Sequence, residues 1–161
     1  MGISSQIKRV QKGESTEINI SRKALARWDN RLERVNQNLK TLVISFSGLS
    51  SVNDTLGTFK TLTTLNLSGN KLTLLPSMNL LQSLNHCNLS FNRLDSFPVG
   101  ITNCKSLVYL DIGGNRLSFV PTKITTLSLL KVFYLNNNLI TELPDEFCEL
   151  KELRTVNFYL I

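Results

Sequence analysis

One histidine and three cysteines bound the chemistry open to this chain. His86 is the one side chain whose ordinary titration falls near neutrality. No serine or cysteine is spaced to form a recognisable nucleophile–base pair with it. Cys87 is adjacent, but neighbouring side chains on a strand point to opposite faces, so the two cannot act together. Cys87, Cys104 and Cys148 make neither a C-x-x-C pair nor an even disulfide set. They read as buried reduced thiols, which argues for a reducing compartment, the cytoplasm. Asp145, Glu146, Glu149 and Glu152 cluster without a histidine or cysteine among them and read as a solvated face rather than a metal site. Gly113-Gly114 does not lie between a strand and a long helix, as a phosphate loop would. The expectation is a chain that is not an enzyme and takes no metal or cofactor.

What positions these residues is a repeat. Leu62-Thr-Thr-Leu65-Asn-Leu67-Ser-Gly-Asn70 recurs from Leu84, Leu107 and Leu130, at intervals of 22, 23 and 23 residues. A looser copy opens at Leu39 and a truncated one at Leu153. Within each copy apolar and polar residues alternate, the period-two trace of a short half-buried strand. One such strand cannot bury its apolar face alone, so successive coils must stack into a continuous core. Asn70, Asn92, Asn115 and Asn138 sit where the chain leaves the strand. An inward amide there can satisfy backbone groups that a buried turn strands, so these four are predicted to form a structural ladder rather than a ligand site. All four prolines, Pro76, Pro98, Pro121 and Pro144, occupy one later repeat position and are expected to lead into short helical or 3₁₀ turns. The copy over 39–61 is degenerate, with Ser47 in the ladder place.

L-x-x-L-x-L-x-x-N at this period is the leucine-rich-repeat signature. The longer tract N-x-L-x-x-L-P-x-x-I-x-x-L, carried with apolar substitutes from Asn115 and Asn138, resembles the intracellular Ras-suppressor type of that family. The resemblance covers about residues 39–161. It implies an α/β solenoid: a right-handed coil with a parallel sheet on the concave face and short helical, 3₁₀ or irregular turns on the convex face. Relatives of this type include Ras-binding scaffolds, cell-polarity proteins and the recognition halves of some phosphatases and cyclases. The resemblance therefore suggests a scaffold or regulator with a small GTPase or a protein phosphatase as partner. The alternative it suggests is the repeat part of a larger signalling enzyme.

Three segments are expected. Residues 1–14 are polar and without periodicity, a disordered or loose lead-in. Residues 15–38 read as an amino-terminal cap, and residues 39–161 as the repeats. In the cap Ile18 and Ile20 match Leu42 and Ile44, and from Ser21 the steps Leu25, Trp28, Leu32, Val35, Leu39 predict an amphipathic helix. Residues 1–40 hold nine basic against four acidic residues, the remainder nine against eight. Such a basic helix could hold acidic lipid or an acidic partner, and the preferred reading is a solvated cap face. Gly2 has Gln6 where a myristoylation motif wants serine or threonine, so lipid anchoring is not expected, and a membrane-peripheral adaptor held by the basic residues 1–40 is kept as a further alternative. Confined to one end and not interleaved with aromatics, the basic charge disfavours nucleic acid. At the other end Val156, Phe158, Tyr159, Leu160 and Ile161 present an apolar edge without a polar cap. Truncation of a longer protein is the favoured explanation, with a homodimer across that edge as the other.

The variable strand positions are then the recognition surface. One row holds Val43, Asn66, Asn88, Asp111, Tyr134 and Asn157, and the next Thr41, Thr64, His86, Tyr109, Val132 and Thr155. Tyr109 and Tyr134 are the expected anchors, each a rigid apolar body with a polar tip. Phe46 and Phe91, at the strand exit, either join this surface or fold inward as a spine.

Overall fold

The computed structural model describes residues 1–35 and 37–159. Seven three-residue strands form one sheet in chain order: β1 (Glu17–Asn19), β2 (Thr41–Val43), β3 (Thr64–Asn66), β4 (His86–Asn88), β5 (Tyr109–Asp111), β6 (Val132–Tyr134) and β7 (Thr155–Asn157). Every neighbouring pair is parallel, and the pairing keeps the repeat frame, with Leu42, Leu65, Cys87, Leu110, Phe133 and Val156 in one column. From Leu42 to Phe133 that column is fully buried. Each buried leucine contributes roughly 1.5–3 kcal/mol, and the column shares one core along the whole solenoid.

The returning limbs hold 3₁₀ turns at Asp54–Thr58, Val99–Asn103, Thr122–Thr126 and Asp145–Glu149. Pro98, Pro121 and Pro144 stand immediately before the last three. A proline there has its φ already set and gives up an N–H that the turn would leave unbonded. Pro76 precedes no helical turn: the shorter coil from Leu62 returns in plain turns.

The ladder asparagines are buried, and each reaches two coils. Asn115 Nδ2 donates to Leu89 O of the preceding coil (3.1 Å) and Ile112 O of its own (2.9 Å), while its Oδ1 accepts from Leu94 N (3.0 Å). Asn70, Asn92 and Asn138 repeat the arrangement. Ser47 in the degenerate copy still bonds across coils, its Oγ donating to Ile20 O (3.0 Å).

The amino-terminal end departs from the sequence expectation. Residues predicted to be a loose lead-in form α1 (Ile3–Gln11), which buries Ile7 and Val10 against the core. It closes on Gly13, whose left-handed φ of 73° allows a Schellman turn: Glu14 N donates to Arg9 O and Gly13 N to Val10 O. Lys8 and Arg9 in the last turn suit the helix dipole. The Gln6 amide then closes the outer edge of β1, with Oε1 accepting from Asn19 N (2.6 Å) and Nε2 donating to Asn19 O (2.7 Å). A side-chain amide so takes the place of an eighth strand.

The helix predicted from Ser21 does not form. Its apolar residues do face inward, with Trp28, Leu32, Val35 and Leu39 buried, but through turns and one 3₁₀ segment, Asn30–Val35. The reason is competition for backbone groups. Arg22 N and Leu25 N donate to Ser45 O and Ser47 O, and Ala26 O accepts from Ser50 N. These groups serve the next coil and are not free for an α-helical ladder. Residues 15–38 are thus the first coil, and α1 is the cap. Cys87 and Cys104 are buried as expected, whereas Cys148 is exposed. Leu160 and Ile161 of the apolar edge lie outside the described residues. Val156 is partly buried, with Phe158 and Tyr159 exposed.

Candidate functional site

The two predicted rows stand on the concave sheet in the expected register. Within them the structure brings four side chains together. His86 and Tyr109, opposite each other on β4 and β5, stack with ring centroids 4.1 Å apart and planes 10° from parallel. Tyr134, one coil on and in the other row, meets Tyr109 edge to face at 5.8 Å and 88°. Asp111 lies in Tyr134's row directly beside it. All four are half-buried. Cys87 points the other way, into the core. Val43 and Asn66 stand on the coils before this cluster, and Asn157 on β7 lies opposite Tyr134, so all three belong to the same face.

The electrostatics follow from partial burial. Desolvation lowers the His86 pKa, opposed by the nearby Asp111 carboxylate. Desolvation raises Asp111, opposed by hydrogen bonds from Gly113 and Ser90 and by the attraction of His86. Burial also pushes up the Tyr109 hydroxyl. Burial thus favours the neutral forms of the His86 ring and the Tyr109 hydroxyl and opposes ionisation of the Asp111 carboxyl beside them. The buried thiols are unreactive: burial holds Cys87 well above its usual value and pushes Cys104 up to about 12.

Part of the outward row has a second task that sequence reasoning missed. Asn66 Oδ1 accepts from Ser68 N (3.0 Å) and Ser68 Oγ (2.7 Å). Asn88 does the same for Ser90, at 3.0 and 2.7 Å. Asn19 does so for Ser21. Asp111 Oδ1 accepts from Gly113 N (3.0 Å). Each is an Asx turn that shapes the strand exit. The signal was present as the recurring N-x-S at residues 19, 66 and 88. Tyr134 has no such duty, which leaves its ring to the surface. Phe46 and Phe91 prove to be outward, 56% and 59% exposed.

A Leucine rich repeat family model matches residues 105–157, and a second Leucine Rich Repeat model matches 61–81. An adenylate cyclase of Schizosaccharomyces pombe is 39% identical over 114 residues, which are 70% of this chain and 6% of that enzyme. Among solved structures, the leucine-rich repeat domain of the type III effector XopL aligns with a TM-score of 0.81 at 19% identity, over 96% of this chain and 56% of that one. The ectodomain of the Arabidopsis thaliana receptor kinase GASSHO1/SCHENGEN3 aligns at 0.79 and 23% identity, over 96% of this chain and 20% of that one. The functional domain of InlJ from Listeria monocytogenes gives 0.76 at 24%, over 89% and 29%. At these identities the structures establish the fold alone.

Proposed function

The chain is a leucine-rich-repeat protein and so a protein-interaction module, and from that premise we propose that it is a cytoplasmic scaffold or regulatory domain that captures its partner on the concave sheet. His86, Tyr109, Asp111 and Tyr134 form the centre of the contact, with Asn66 and Asn88 beside it and Val43 and Asn157 at its ends. The observation that supports this reading is the aromatic stack. Three rings stand half out of water on a rigid sheet, with their rotamers already held by one another. Ordering them on binding costs little further entropy, which is what distinguishes an anchor from a floppy surface residue. The partner we favour, from the family resemblance, is a small GTPase or a protein phosphatase.

The test is a quantitative capture from native lysate by the wild type beside a Tyr109→Ala/Tyr134→Ala double variant. A GTPase or phosphatase retained by the wild type and lost from a folded variant is the expected result. Unfolding of the variant would mean that these rings hold the sheet rather than a partner. Equal retention would sink the concave-face reading.

The second reading is that these repeats are the recognition part of a larger signalling enzyme. It is favoured by the relative being an adenylate cyclase, of which this chain spans 6%. The full reading frame decides between the two.

A further inference from the structure

At the corner where each strand exits, the residue before the ladder position is left-handed in successive coils. The φ values are 57° at Arg22, 51° at Phe46, 67° at Gly69, 54° at Phe91, 64° at Gly114 and 56° at Asn137. Glycine adopts this conformation without strain, and phenylalanine does not. Burial does not offset the strain, since both phenylalanine rings are more than half exposed. What they gain is a seat. A Cβ built on Gly69 would fall 2.3 Å from Phe46 Cδ1, and one on Gly114 2.8 Å from Phe91 Cδ1. Each ring lies on the bare backbone of the next coil's glycine, held in place while still open to solvent. Large and small residues alternate along the corner so that this can happen twice.

Just past the ladder asparagines, Lys71, Arg93 and Arg116 occupy one position in three consecutive coils, all exposed. With coils about 4.8 Å apart they make a column of like charge. Arg116 has Asp95 at 3.9 Å, both in water. Among the described residues Lys71 and Arg93 pair with no carboxylate. The two features interleave: Phe46 is seated on the coil that carries Lys71, and Phe91 on the coil that carries Arg116. Arg22 stands at the same corner of the first coil.

We propose that this corner is a second docking surface, separate from the concave rows, and that its occupant is an extended acidic segment of a partner protein. Carboxylates of the segment meet Lys71, Arg93 and Arg116, and its apolar side chains rest on Phe46 and Phe91. Charge complementarity fixes the sign, since neighbouring cations repel until an anion lies along them. The shape fixes the form. The rings stand two coils apart, about 10 Å, close to the roughly 9 Å that separates every third residue of a polyproline-II segment. Rings and cations stand in two neighbouring columns along the coils, a track for a single strand of chain.

The probe is a short fluorescent peptide with leucine at every third position and glutamate between, read by anisotropy in low and moderate salt. A lysine analogue and phosphatidylcholine vesicles containing phosphatidylserine serve as the other arms. Salt-sensitive binding of the glutamate peptide, and not the lysine peptide, is expected. Arg93→Glu should weaken it roughly tenfold or more, as reversing a central charge does. Phe91→Gly should weaken it comparably with no loss of melting temperature, because glycine relieves the strained φ. The Tyr109→Ala/Tyr134→Ala variant should bind the peptide as the wild type does, which separates this surface from the concave one. No binding of the peptide, binding unchanged in Arg93→Glu, or binding to the anionic vesicles alone would each overturn the proposal. Should Phe91→Gly unfold the protein, that ring is a strut of the fold, and unchanged binding in Arg93→Glu then overturns the proposal.

Discussion

Two columns of amides line parts of this solenoid, and residue type does not distinguish them. Asn70, Asn92, Asn115 and Asn138 face inward, bonded to the backbone of two coils at once. Asn19, Asn66 and Asn88, on the sheet's outer face, bond only to the turn two residues on. The inner amides are out of water and add side-chain links to the backbone bonds that already join neighbouring coils there. The outer ones are partly solvated and serve one coil each. An amide is worth what its surroundings leave it to satisfy: buried donors and acceptors that lose their partner cost far more than solvated ones.

That contrast can be broken by substitution. Asn115→Ala strands Leu94 N in the core and takes one of two amide donors from each of Leu89 O and Ile112 O, which keep Asn92 and Asn138, so it should lower unfolding stability by roughly 1–3 kcal/mol in urea titration. A loss under half a kilocalorie would mean that water or backbone movement replaces the ladder. Asn88→Ala removes a half-exposed turn cap and should cost less, about 0.5–1.5 kcal/mol. Equal losses at the two sites would erase the distinction between the columns.

The smallest effect belongs to His86, whose folded pKa is lowered by burial. The neutral ring is the form the fold prefers, so its contribution is intact above the unfolded value of about 6.5. It is lost as pH falls from there through the folded value. An NMR titration should place the His86 midpoint below that of the urea-denatured chain, with stability declining over the same interval. A midpoint at or above the denatured one would show that Asp111 outweighs desolvation. Asp111 moves the opposite way, its raised pKa favouring the protonated form in the fold.

The repeat frame was legible because it is local and restated. A leucine every second or third residue, an asparagine and a proline at fixed offsets determine strands, register, the inner ladder and which side chains face outward. The expected anchors Tyr109 and Tyr134 follow from that frame alone. So does the opposition of His86 to Cys87, since a strand admits no other alternation.

What the sequence did not disclose depends on neighbours in space. The helical spacing from Leu25 to Leu39 was genuine, yet the adjacent coil claimed the backbone groups a helix would have used. Residues 1–14 look featureless because three apolar residues, Ile3, Ile7 and Val10, gain their meaning only when β1 offers an open edge to cover. The direction of Phe46 and Phe91 was undecidable until Gly69 and Gly114 were seen beneath them. Periodicity thus determined the fold and its two faces. Competition for hydrogen bonds between coils, and contact between residues 13 or more positions apart, decided how the first coil runs, how the end is closed and where the exposed rings lie.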